Sequence, residues 1–231
     1  TPEERRQALH ALLACPTAAI ESDNRSGMQA ALEDFPLLIE NEVYYCGYTS
    51  ENSFGGSSYF VTHPDGNWLI DSPRYVPALV RKFEQMGGIR YIFLTHRDDV
   101  ADAGRYAEHF RAERIIHESE RHAQPDAEHL IAGTDIADWK PDCRIIPTPG
   151  HTRGHMVLLY RQRYLFTGEH LDWDRDTKDL AADRIHCWYS WSEQAKSMAR
   201  LADERFEWVL PGHGQRGYLP KPDMQQAMFR L

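Results

Sequence analysis

Three histidines stand where an imidazole can be held at a fixed direction. His96 directly follows the apolar run RYIFLT (90–95), His151 sits in Thr148-Pro149-Gly150-His151, and His213 sits in Pro211-Gly212-His213-Gly214. Each falls at a strand end or in a turn, and neighbouring glycines let the backbone approach closely. Glu169 has the same placing, directly after YLFTG (164–168). Imidazole together with carboxylate suits zinc or non-haem iron, and the purely oxygen-loving metals less well. Three to five such ligands leave a position open for water, whose pKa a metal lowers to about 7 while polarising a carbonyl or phosphoryl oxygen. Hydrolysis is the chemistry this donor set points to.

Several sheet edges must converge to bring these groups together, and the patterning supplies them. The stretch 3–14 (EERRQALHALLA) predicts a short helix ended by Pro16, and the polar stretch Glu21 to Gly27 reads as a linker. This divides the chain into an N-terminal segment, 1–26, and a main domain, 27–231. VYYCGY (43–48), SSYFV (57–61) and NWLID (67–71) are strand-like, the last two joined through the turn His63-Pro64-Asp65-Gly66. Ser72-Pro73 predicts a helix start, with Val76, Leu79, Val80, Phe83 and Met86 on the buried face and Gly87 as the stop. After the strand 90–95 comes HRDD, then an amphipathic helix carrying Val100, Ala103, Ala107 and Phe110 on one face. RII (114–116) predicts a short strand, followed by a polar helix and loop to about residue 142. RIIP (144–147), HMVLLY (155–160), YLFTG and WVL (208–210) predict further strands. Helices are expected over 192–203, with Ser190 and Glu193 as a capping box, and over 225–231.

Composition narrows the function classes. A net charge of −9 without a dense Lys/Arg run argues against nucleic acid or an anionic membrane as partner, and leaves a small-molecule substrate. No apolar run reaches the roughly 18 residues needed to span a bilayer. The four cysteines show no C-x-x-C spacing, which fits reduced thiols in a cytoplasmic setting better than a disulfide framework. Leu12-Leu13-Ala14-Cys15 has the outline of a lipoprotein cleavage box, but the apolar stretch before it is short, contains His10 and follows Glu3 and Glu4.

The motifs carry a resemblance. T-H-R-D-D-V-A-D (95–102) resembles the T-H-x-H-x-D-H segment of the metallo-β-lactamase superfamily, and T-P-G-H-T-R-G-H (148–155) its second histidine motif. T-G-E (167–169) is similar to its T-G-D motif, P-G-H-G (211–214) to its closing histidine motif, and N-S-F-G-G-S-S-Y-F-V with L-I-D-S to its opening hairpin. The match covers about residues 43–215 in order. It implies an α/β (α+β) fold, a four-layered αββα sandwich, with a metal site at one edge built from His96, Asp98, His151, Glu169 and His213.

Matched residue by residue, Asp98 falls on the second histidine of the family, Val100 on its aspartate and Ala101 on the histidine beside it. Neither valine nor alanine binds a metal, so the resemblance implies one ion per chain, zinc or iron, with Asp98 and Glu169 as candidate catalytic carboxylates. As simple helix caps Asp98 and Asp99 have an alternative reading, which is stronger for Asp99. His155 reads as packing, His170 and His186 as possible substitutes for lost ligands, and Asp71 as support for the site. Trp173, Trp188, Tyr189 and Trp191 read equally as substrate pocket or as packing.

A-L-L-A-C-P-T-A-A-I near the N-terminus resembles the tail of a bacterial ferredoxin, which implies a ferredoxin-like module upstream; with Cys15 alone, this stretch holds no iron–sulfur cluster itself. Three functions compete: a metal-dependent hydrolase acting on an ester, thioester or lactam bond, an iron redox protein working with a ferredoxin module, and a non-catalytic metal-binding descendant.

Overall fold

The structure is a computed structural model that describes residues 1–17, 19–24 and 26–231. Ala18, within the ferredoxin-like stretch, and Arg25, within the expected linker, lie outside the described residues. The chain divides into two compact units, one of residues 1–93 and 98–114, the other of 94–97 and 115–231.

The first unit opens with α1 (Pro2–Ala14), started by a full capping box between Thr1 and Glu4, and α2 (Met28–Asp34). Asp34 joins the two helices by accepting from Arg6 Nε at 2.5 Å and pairing with His10 Nε2 at 2.6 Å. Strands β1 (Leu37–Glu40), β2 (Val43–Tyr45), β3 (Tyr59–Val61) and β4 (Trp68–Ile70) then run antiparallel in succession. β1 has no strong signal in the sequence, because its residues are only partly buried.

Two helix starts differ from expectation. α3 spans Pro77–Gln85, so the proline that opens it is Pro77, not Pro73, and Val76 caps it from outside the buried face of Leu79, Val80 and Phe83. Both prolines satisfy the first-turn preference, and the local sequence alone does not choose between them. β5 (Tyr91–Phe93) pairs parallel with β4 as a fully buried strand. α4 (Ala103–Phe110) begins at Asp102, after a 3-10 turn over Arg97–Asp99. Val100 therefore precedes the helix, and neither Asp98 nor Asp99 is its N-cap.

β6 (Glu113–His117) leads into the second unit and pairs there with β7 (His129–Ile131). Instead of a polar helix and loop, residues 118–142 form a 3-10 stretch over Glu118–Ala123, then β7 and β8 (Ala137–Lys140). The partly polar faces of these short strands hid them. Next come β9 (Cys143–Pro147), β10 (Met156–Tyr160), β11 (Tyr164–Gly168) and the hairpin β12 (Asp172–Asp174) with β13 (Asp179–Ala181). α5 (Trp191–Leu201) follows, with Ser190 accepting the Glu193 N–H as its cap. β14 (Trp208–Pro211), β15 (Gly217–Tyr218) and α6 (Lys221–Arg230) complete the unit, α6 starting earlier than the pattern at 225–231 suggests.

Six strands of the second unit form one sheet in the order β15-β14-β11-β10-β9-β8. Its core joins Ile146, Val157, Leu159, Leu165 and Val209 from the strands to Leu201, Met224 and Met228 from α5 and α6. Each such buried aliphatic side chain contributes roughly 1.5–3 kcal/mol. β9 and β11 both run antiparallel to the β10 that separates them, and β14 runs parallel to β11. Three strands therefore point the same way and end at the same edge of the sheet.

Candidate metal centre

That edge carries three of the expected ligands, since His151 follows β9, Glu169 follows β11 and His213 follows β14. His96 arrives on the segment Leu94–Arg97, fastened by Thr95 O, which accepts the Met156 N–H at 2.8 Å. The four side chains meet. Glu169 Oε1 lies 3.4 Å from His96 Nε2, 3.7 Å from His151 Nε2 and 3.6 Å from His213 Nε2.

The donor set passes a simple test of fit. Zinc ligands sit about 2.0–2.1 Å from the ion, which at tetrahedral angles places them about 3.3–3.4 Å from one another. The carboxylate oxygen stands at that spacing or slightly beyond it from all three nitrogens. Ring orientation agrees as well. His151 Nδ1 lies 2.5 Å from the carbonyl oxygen of His186, which only accepts, so the Nδ1 proton is fixed and Nε2 presents its lone pair. His96 Nδ1 lies 3.0 Å from the Thr95 hydroxyl, and its ring meets that of His151 edge-on at 4.7 Å.

Burial sorts these candidate ligands. The His96 and His151 side chains are 0% and 2% exposed, whereas His213 is 33% exposed, so solvent reaches the His213 ring although its Nε2 is buried. Burial alone would raise the Glu169 carboxyl, but His96, His151 and His213 outweigh it and hold the group below its ordinary value. Asp98 stands half-buried in the 3-10 turn, two residues beyond His96. Asp71 is buried at the end of β4 with a left-handed φ of 54°.

Two further histidines stand beside the candidate ligands, fully buried. His155 and His170 stack at 5.5 Å. Burial, reinforced by neighbouring imidazoles, pushes His155 well below its ordinary range and His170 down to about 3. His186 serves through its carbonyl oxygen, while its exposed ring pairs with Asp183.

Sequence patterning gave no sign of Glu120, a fully buried acid that accepts the Gly154 N–H in the loop between His151 and His155. A buried glutamate inside a polar stretch has no periodic signature to betray it. The aromatic group divides: Trp173 packs on the core, whereas Trp188 and Tyr189 are exposed, with the Trp188 ring 6.4 Å from that of His151.

No protein-family model and no curated protein matches this chain. Solved structures do. The BLEG-1 B3 metallo-β-lactamase aligns over 79% of this chain and 99% of its own, at 16% identity and a TM-score of 0.61. A metallo-β-lactamase family protein from Thermus thermophilus aligns over 84% and 79%, at 16% identity and 0.59. A B3 metallo-β-lactamase described as having an active-site glutamic acid aligns over 91% and 96%, at 16% identity and 0.54. At such identities the likeness is one of fold. The chain has the metallo-β-lactamase fold, the mixed α/β sandwich implied by its motifs.

Proposed function

We propose that this chain is a metal-dependent hydrolase in which one divalent ion, zinc or iron, is held by His96, His151, His213 and Glu169, with Asp98 as a further carboxylate. The supporting observation is the convergence of three imidazole nitrogens on one Glu169 oxygen at 3.4–3.7 Å. A bound ion supplies Lewis-acid polarisation of the scissile carbonyl and makes water acidic enough to react near neutral pH.

The chain's own groups do the rest. His151, locked by the His186 carbonyl, keeps its lone pair aimed inward. Asp98 and Glu169 are the proposed acceptors for the proton of the attacking water, help that commonly accounts for 10²–10⁴-fold in rate. Trp188 offers an apolar edge beside His151 for the substrate, a small molecule with an ester, thioester or lactam bond. A glutamate in the active site of this fold has a precedent in one of its structural relatives. The setting proposed for it is cytoplasmic, on the sequence reading of four cysteines without C-x-x-C spacing.

The mixed imidazole and carboxylate set also favours a second reading, an iron protein of redox function, since such sets hold non-haem iron. Elemental analysis and colour of protein purified without added metal separate the two. About one zinc per chain with ester or lactam turnover supports the hydrolase, whereas coloured, iron-loaded protein supports the redox reading. Protein that neither retains nor takes up either metal refutes both. Asp98→Asn is expected to lower metal occupancy with the fold intact; unchanged occupancy removes Asp98 from the site.

A further inference from the structure

We infer that His155 is a positioning residue that sets the Glu169 carboxylate and the His213 turn together, through the one peptide group between Gly168 and Glu169. The N–H of that peptide, on Glu169, donates to His155 Nε2 at 3.3 Å. Its carbonyl, on Gly168, accepts the Gly212 N–H at 2.8 Å, one residue before His213. The peptide group is planar, so holding its N–H fixes the direction of its C=O as well.

His155 is itself held to do this. Because Nε2 accepts from Glu169, the ring proton of neutral His155 sits on Nδ1, where the Thr148 hydroxyl lies at 2.8 Å. Thr148 N–H in turn donates to the His155 carbonyl at 2.8 Å, closing a ring of contacts at the base of the His151 loop. The imidazole is fully buried and backs onto Gly168 so closely that a Cβ there would lie 2.6 Å from Nε2. The arrangement ties three ligand-bearing corners to one side chain: it sits four residues beyond His151, supports Glu169 directly, and anchors the turn of His213 across the shared peptide.

The inference rests on the proposed metal centre, and its test carries a readout that does not. His155→Gln keeps an acceptor at about the Nε2 position, whereas His155→Leu removes it. Zinc affinity of the metal-free proteins, measured against a chelator, is expected to fall about 10–100-fold in the Leu variant, the range typical of losing an outer-shell partner, and to stay near the wild-type value in the Gln variant. The Glu169 amide proton is expected to be protected from hydrogen exchange in wild type and His155→Gln, and to lose protection in His155→Leu. Thr148→Val, a smaller change, should weaken both readouts in the same direction and replaces the Leu variant should that fail to fold. Wild-type affinity and amide protection in a folded variant lacking the acceptor would overturn the inference. Binding of both zinc and iron absent from the wild type, with Glu169 protection still dependent on His155, would overturn the proposed function alone.

Discussion

Glu120 Oε1 accepts the backbone N–H of Gly154 at 2.8 Å, from a carboxylate buried to the last few per cent. The other oxygen, Oε2, faces Arg97 Nε at 3.8 Å, so one acid reaches both the loop that carries His151 and the residue next to His96. Gly154 has no room for more, since a Cβ there would lie 2.6 Å from Glu120 Cγ. Glu120→Ala leaves a buried N–H without its acceptor, which costs about 1–3 kcal/mol, and Glu120→Gln, which keeps an acceptor, costs less. Urea denaturation of the two variants checks the order; equal stabilities would show that the contact contributes nothing.

Gly168→Ala is the second substitution expected to damage the centre without touching a ligand. The residue has a left-handed φ of 52°, and a Cβ would lie 2.6 Å from His155 Nε2 and 2.8 Å from Thr95 Oγ1. The backbone conformation alone costs an L-residue roughly 1–2 kcal/mol. The neighbours cannot give way cheaply, because both are buried beside ligands. The expected outcome is a loss of at least that much stability together with weaker zinc retention, read by denaturation and by metal content after dialysis.

Glu120 and His155 mark where legibility in the sequence ended. His96, His151, Glu169 and His213 were legible because each follows an apolar run, and the structure brings all four together. The strands holding them were legible for the same reason: β11 is a continuous buried run and β14 is buried over Val209–Pro211. Glu120 and the role of His155 were not, since each acts through a backbone N–H far away in sequence, and no spacing rule encodes such a partner. Helix starts failed where two local signals competed, Pro73 against Pro77 and Asp99 against Asp102, and tertiary packing made the choice. β7 and β8 failed because short, partly exposed strands lack a clean alternation.

Acid should loosen α1 before the sheets. Arg6, and then His10, hold the Asp34 carboxyl below its ordinary value although burial opposes them. A carboxyl depressed in the folded state contributes stability that is fully present above its unfolded pKa, about 3.9, and is lost as pH falls through the lower folded value. Arg6 stays charged throughout, with Glu33 as a further acid near it. Hydrogen exchange over α1 is expected to accelerate, once corrected for its intrinsic pH dependence, between about pH 4 and the folded pKa. Asp34→Asn should exchange faster at neutral pH and lose the acid-dependent part. An identical pH dependence in the variant would show that another group governs the docking of α1.

The three histidines should not be equivalent when removed. His96 and His151 are 0% and 2% exposed, so replacing either by alanine opens a cavity as well as deleting a ligand, and such truncations typically cost a few kcal/mol. His213 is 33% exposed and stands in the Pro211–Gly214 turn, where an alanine leaves a gap continuous with solvent. His213→Ala is therefore expected to fold with near-wild-type stability and to lose more zinc affinity than the 10–100-fold that follows removal of an outer partner. Because the gap is open, free imidazole at millimolar concentration can enter it and supply the missing nitrogen. Added imidazole should restore zinc binding to His213→Ala and leave His96→Ala unrescued, since its cavity is sealed. Competition with a chelator, with and without imidazole, reads this directly. Equal rescue of both variants would mean that the burial order does not govern access, and no rescue of His213→Ala would mean that His213 does not supply a metal-binding nitrogen that free imidazole can replace.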